Sequence, residues 1–228
     1  MFRIEDLFPP RCSGCANARP SPCLSCVATM APPPDLPVPG PLSSLGALVS
    51  YDNSSRRFVA ALKYRNDRSS LNSFVDGLVL AYPLSPGPSV GMLTWAPTTD
   101  LRRRERGFDQ ARLLATRMGR RLRVRPRRLL RRLPGPQQTG RTLSERLAGP
   151  AFEGLGRGSG PVVVVDDVCT TGATLTAAAR VLLDSGFSEV HGLVIARTPA
   201  NRRFGPADRR IEQPSSNPSV DFDTLWAS

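Results

Sequence analysis

The chain has 228 residues, 40% of them hydrophobic, and a formal net charge of +12, which suits one medium domain plus an appendage, with enough apolar material for a core. No apolar run approaches twenty residues, which excludes a membrane-spanning helix and membrane insertion. The opening MFRIEDLFPP lacks the basic segment and apolar stretch of a secretory signal, so a cytoplasmic location is expected.

Residues 1–30 carry Cys12-Ser-Gly-Cys15 and Cys23-Leu-Ser-Cys26, a C-x2-C-x7-C-x2-C arrangement. Paired knuckles of this kind bring four thiolates around one tetrahedral Zn²⁺. Two disulfides would use the same residues, but a cytoplasmic address disfavours them. With all four positions filled by Cys the expected metal is structural, with no open position for catalysis. Residues 31–41, APPPDLPVPGP, read as a semi-rigid Pro-rich linker, and a second domain is expected over 42–200.

Asp52, Asn53, Ser54 and Ser55 are N-cap candidates for a helix that places Phe58 and Leu62 on one face. Near its end stands Lys63, the sole lysine of the chain. It is a candidate phosphate contact or an ordinary solvated helix end. A second amphipathic helix is predicted over 72–82, with Phe74, Leu78 and Tyr82 on one side. Residues 83–88 read as a loop and 91–97 as a short strand.

The positive charge is concentrated beyond that strand. Residues 101–146 hold sixteen Arg against Glu105, Asp109 and Glu145, a net +13 that leaves −1 for the rest of the chain. The preference for Arg over Lys is a compositional bias, but clustering is not. Such a block suits a phosphate-rich small molecule, nucleic acid or an acidic partner. Its single aromatic, Phe108, offers little for base stacking. Within it, Arg103, Arg106 and Gly107 form a basic, glycine-containing loop that suits phosphate groups, because guanidinium groups bind phosphate oxygens bidentately. Asp109 is a natural N-cap for a helix over 110–122, which would bury Leu114, Met118 and Leu122. A weak strand is predicted over 124–130, and the polar stretch 133–152 reads as a mobile lid or a disordered linker.

The most informative stretch is PVVVVDDVCTTGATL, residues 161–175. The β-branched run 162–165 predicts a buried strand ended by Asp166 and Asp167. Thr170, Thr171, Gly172, Ala173 and Thr174 make a small, hydroxyl-rich turn before a helix over 175–184, and hydroxyls with unpaired N–H groups at a helix N-terminus form an anion site. Cys169 is read as a small buried residue. Ser185-Gly186 supplies the helix stop. A last strand is predicted over 189–196, carrying a structural His191, and residues 201–228 read as a disordered tail. A Walker A loop is excluded, because Leu62 precedes the only lysine.

Residues 161–175 closely resemble the phosphoribosyl-pyrophosphate (PRPP) signature of type I phosphoribosyltransferases. The four Cys, the segment around Lys63, the RRRERGFDQ box and the QQTG…AF segment follow in the order found in the ComF (GntX-like) competence family, with Asp109 where that family carries Asn. The resemblance implies an α/β fold, a type I phosphoribosyltransferase-like parallel sheet flanked by helices and preceded by a small zinc-ribbon-like module. It also implies transfer of phosphoribose from PRPP, with Mg²⁺, to a nucleophile that nothing in the sequence identifies. In that reading Asp166 and Asp167 are the catalytic acids on the ribose. Residues 170–174 take the 5′-phosphate, Arg103, Arg106 and Gly107 the pyrophosphate, and Gln138 and Arg146 belong to a flexible loop. The alternative implied by the same family is a DNA-uptake factor that binds single-stranded DNA, works with other DNA-uptake proteins and uses PRPP as a regulatory ligand.

Overall fold

The computed structural model describes residues 11–17, 21–64, 68–82, 92–134 and 150–200, without the side chains at 64, 68, 69, 102 and 106. The expected elements are found, with several shifts of boundary. Helix α1 is the single turn Leu24–Val27 inside the cysteine module. It is followed by β1 (Ser44–Ser50), α2 (Asn53–Tyr64), α3 (Arg68–Ala81), β2 (Met92–Trp95), α4 (Asp100–Arg106) and α5 (Gln110–Leu122). The chain continues as β3 (Leu130–Arg132), β4 (Phe152–Gly154), β5 (Pro161–Cys169), α6 (Ala173–Asp184) and β6 (Glu189–Arg197).

Four strands form one parallel sheet in the order β1-β6-β5-β2, and β3 and β4 form a separate antiparallel ribbon. The central strands β5 and β6 are nearly all apolar because both of their faces are covered. Along β5 the side chains alternate. Val163 and Val165 enter a core with α2, α3, α5 and the cysteine module, and Val162 and Val164 enter a second core with α6, β3 and β4. Helices on both faces of a parallel sheet are the α/β class that the motifs implied.

Capping follows the sequence closely. Asp52 Oδ1 accepts from the N–H groups of Ser54 and Ser55 at 2.8 and 3.0 Å and starts α2. Asp109 starts α5 by accepting from the Arg112 N–H at 3.1 Å. Leu114, Met118, Phe74, Leu78 and Cys169 are buried as expected. His191 is buried too, its Nδ1 2.9 Å from the Ser44 hydroxyl at the end of the sheet away from the strand C-termini.

Three local expectations are corrected. Residues 124–129 form no strand, and pairing begins at Leu130, where Phe152–Gly154 supplies a partner. The basic stretch after Thr99 is helical over Asp100–Arg106, because a run of Arg and Glu has high helix propensity and Thr99 O accepts from the Arg103 N–H at 2.9 Å. Strand β5 does not stop at the acid pair, since Asp166, Val168 and Cys169 keep their register with Val194, Ala196 and Arg197 of β6. Strand β1 has no counterpart in the sequence reading; SLGALVS is short, small and mixed in polarity.

Residues 31–41 pack along the carboxyl ends of the strands. The Ser50 N–H donates to Ala31 O at 2.9 Å, and the Arg197 guanidinium reaches the carbonyls of Leu36 and Pro37 at 3.0 and 2.5 Å. Pro39 then lies against Gly172, where an added Cβ would meet its ring at 2.5 Å.

Candidate functional site

Because β2 and β5 are parallel neighbours, their carboxyl ends and the loops that follow open on the same edge of the sheet. Asp166 and Asp167 lie at this edge, partly exposed after four fully buried valines. Asp166 Oδ1 accepts from the Asp167 N–H at 2.8 Å. Burial, reinforced by the charge of Asp167, pushes the Asp166 carboxyl up to about 8, while Lys63 opposes the rise and Asp109 adds to it. Asp109 is held across the opening by the Thr98 N–H, which donates to its Oδ2 at 3.0 Å. Lys63, from the last turn of α2, places Nζ 3.1 Å from Asp167 Oδ2, with both side chains less than a quarter exposed. Three separate segments thus converge on one acidic edge with a single ammonium among them.

The turn beyond the pair has the geometry that its glycine predicted. Gly172 caps α6 with φ of +78°, a left-handed conformation that residues with a Cβ resist. Thr170 and Thr171 are exposed, Thr174 is half-buried, and Thr171 Oγ1 accepts from the Ala173 N–H at 3.3 Å. A helix start bordered by hydroxyls is suited to an anion. Gly107 also has positive φ, +77°, at the break between α4 and α5, and open space surrounds the position its Cβ would take.

Next to Gly107 is a groove of about 570 Å³ between the β2–α5 segment and the β3–β4 ribbon. Arg103, Arg112, Arg128, Arg131 and Arg132 line it together with Trp95. Arg103 pairs with Asp100 at 3.1 Å, and Arg112 lies 6.0 Å above the Trp95 ring. Of the arginines singled out from the sequence, only Arg103 contributes to this wall as described. Arg106 closes α4, and its side chain lies outside the described residues, as do Gln138 and Arg146 entirely. The sequence reading did not single out Arg112, Arg128, Arg131 or Arg132. Their signal was present in the charge count but not in any motif, and only the fold gathers them on one groove.

The four cysteines of the amino-terminal module also converge. Their Sγ atoms lie within 4.8 Å of one another, with Cys12–Cys26 and Cys15–Cys23 both at 3.7 Å. A tetrahedral site with Zn–S bonds of about 2.3 Å requires sulfur separations of about 3.8 Å, so the cluster fits zinc. Burial alone would raise the Cys12 thiol, but N–H groups of Cys23, Cys15 and Gly14, with the Cys26 thiol, outweigh it and bring Cys12 down to about 6. Burial and the neighbouring thiols push Cys26 up to about 12. A divalent cation bound there would resolve that opposition by holding all four sulfurs as thiolates.

No family profile matches the chain. It is 29% identical over 143 residues to the competence protein ComFC of Bacillus subtilis (strain 168), a match covering 61% of this chain and 58% of that protein. The resemblance to the ComF competence family is borne out. The likeness to ComFC thus extends over less than two thirds of that protein's length. Among solved structures, the orotate phosphoribosyltransferase from Aeropyrum pernix is 24% identical, with a TM-score of 0.37 and coverage of 62% of this chain and 64% of that one.

Proposed function

We propose that the protein is a PRPP-binding phosphoribosyltransferase that transfers phosphoribose to a nucleophile and releases pyrophosphate. The observation that carries this reading is the placement of Asp166 and Asp167 at the carboxyl edge of a central parallel strand, directly before a glycine-capped helix start. Carboxylates there accept hydrogen bonds from the 2′- and 3′-hydroxyls of a ribose. Their negative charge also favours the positive charge that develops on the ring as the bond from C1 to pyrophosphate breaks. Residues 170–174 receive the 5′-phosphate through hydroxyls and N–H groups. Arg103, Arg106 and Gly107 receive the pyrophosphate, and Lys63, paired with Asp167, stands beside the acid pair as the candidate phosphate contact. Gln138 and Arg146 keep the role of flexible-loop residues that the family resemblance gives them. The acid pair offers hard oxygen donors, which fit Mg²⁺ arriving with the substrate; the ion supplies charge neutralisation of the pyrophosphate.

In this reading the chain divides into a zinc module over 1–30, a linker over 31–41, the transferase domain over 42–200 and a tail over 201–228, in a cytoplasmic protein. The experiment that tests the activity is a panel of purine, pyrimidine and amine acceptors incubated with the protein, PRPP and Mg²⁺, with pyrophosphate release as readout. Release above the acceptor-free rate with one class identifies the nucleophile. No release with any acceptor, alongside intact PRPP binding, leaves PRPP as a regulatory ligand.

The arginine groove favours a second reading, a single-stranded-DNA-binding uptake factor acting with other uptake proteins. Five guanidiniums on one groove match a phosphodiester backbone. Binding of this kind weakens steeply with salt. Neutralising Arg112, Arg128 and Arg131 together should flatten the salt slope by about three phosphate contacts. An unchanged slope would remove the groove from any DNA-binding role.

A further inference from the structure

We infer that the cysteine module acts as the seat that aims Lys63 at the acid pair, so that metal occupancy of the module sets how tightly the site holds its sugar phosphate. The connection is continuous. Gly14, between Cys12 and Cys15, lies against α2 so closely that an added Cβ would stand 2.4 Å from the Phe58 ring and 2.9 Å from Cys26 Sγ. The Arg57 guanidinium donates to Gly14 O at 3.0 Å. Cys12, Cys23 and Cys26 share one apolar cluster with Phe58, Val59 and Leu62. A second tie runs to α3, where the Ser21 and Ser70 hydroxyls are 2.5 Å apart and the Ser73 hydroxyl donates to Ser21 O at 3.2 Å.

From Phe58 the helix runs less than two turns to Lys63, whose Nζ is 3.1 Å from Asp167 Oδ2. A helix transmits displacement along its axis without absorbing it, so the end that carries Lys63 follows the end seated on the module. The module is too small to hold its shape by apolar burial alone; a cluster of four thiolates is ordered by its metal. Losing the metal unseats Gly14 from Phe58 and Arg57 and lets the last turn of α2 drift from the acid pair. Lys63 is therefore a positioning residue. It orients the Asp167 carboxylate and balances one of two adjacent negative charges. Without it Asp167 loses the partner that fixes the direction of its carboxylate, and a ribose hydroxyl loses an oriented acceptor.

The test uses the full chain, zinc-loaded or stripped by a chelator that is then dialysed away, in wild type and Lys63→Met. Because the chain has one lysine, reductive ¹³C-methylation gives a single side-chain NMR signal apart from the amino terminus, and the charge is kept. Stripping should move that signal to its solvent-exposed position, and Arg57→Ala in zinc-loaded protein should move it part of the way. With Mg²⁺ restored, stripping wild type and introducing Lys63→Met into loaded protein should each weaken PRPP binding about tenfold, as loss of one charged contact does. Stripping Lys63→Met should add nothing further. The inference is overturned by an unmoved lysine signal or by losses that simply add. It is equally overturned by a stripped protein that no longer melts cooperatively, since the module would then serve the whole fold. The affinity arm rests on the PRPP reading, but the lysine signal does not. A loaded wild type that fails to bind PRPP overturns that reading, and the lysine signal still decides this one.

Discussion

Asp166 is where burial and chemistry conflict most. Its carboxyl is pushed up from the usual 3.8 to about 8, chiefly by burial and then by Asp167. The fold thus favours the neutral acid. That contribution to stability is complete below about pH 4 and is lost as pH rises towards 8. Ligand-free wild type should therefore lose thermal stability between pH 5 and 9 relative to Asp166→Asn, by on the order of 5 °C. Melting curves of the two proteins across that range check this, and parallel curves would contradict it. The acid pair was legible in the sequence because two adjacent carboxylates after a buried β-branched run have no packing reason to be there. The wall formed by Arg112, Arg128, Arg131 and Arg132 was not, because any one arginine among sixteen looks like a solvated charge. Lys63 was legible as a candidate phosphate contact, but its partner Asp167 is 104 positions away and is set by packing of α2 on the sheet.

At the scale of elements, the two glycines with positive φ make different demands. Gly172 combines φ of +78° with Pro39 atoms 2.5 and 2.6 Å from where a Cβ would stand, whereas Gly107 has φ of +77° and open space. Gly107→Ala should cost about 1 kcal/mol, the backbone term alone. Gly172→Ala should cost at least about 2 kcal/mol, because the strap of residues 31–41 must also move. Denaturant unfolding of both variants measures the difference, and equal costs would mean that Pro39 yields freely. The strand–turn–helix of β5 and α6 and the helix α5 were legible from periodicity and caps. Helix α4 and strand β1 were missed for opposite reasons. A charged run resembles a loop when its helix propensity is ignored, and β1 is defined by its pairing with β6 rather than by its composition. The Pro-rich stretch reads as a linker from composition, but its carbonyls at Leu36 and Pro37 are fixed by Arg197, a contact across 160 residues that no local pattern encodes.

For the whole molecule, the sheet joins two cores and the cysteine module belongs to one of them. Purified protein should contain close to one equivalent of zinc. Removing it should lower the melting temperature, since Cys12, Cys23 and Cys26 are buried against α2 and cannot be left as loose thiols without exposing Phe58. Elemental analysis paired with calorimetric melting tests this, and a metal-free preparation with an unchanged melt would contradict it.

The central claim is that the acid pair reads a ribose beside a separate phosphate cradle. Calorimetric titration of PRPP with Mg²⁺, and of inorganic phosphate, into wild type and the Asp166→Asn/Asp167→Asn protein tests it most directly. The variant keeps the size of both side chains and removes the capacity of either to carry a negative charge once Mg²⁺ and the ribose are bound. Each lost charged hydrogen bond is worth about 1.5–3 kcal/mol, so PRPP affinity should fall on the order of a hundredfold or more. Phosphate affinity, assigned to the proposed cradle of residues 170–174, should change little. Equal weakening of both ligands would mean that the pair shapes the turn, and an unchanged PRPP affinity would contradict the assignment of this site.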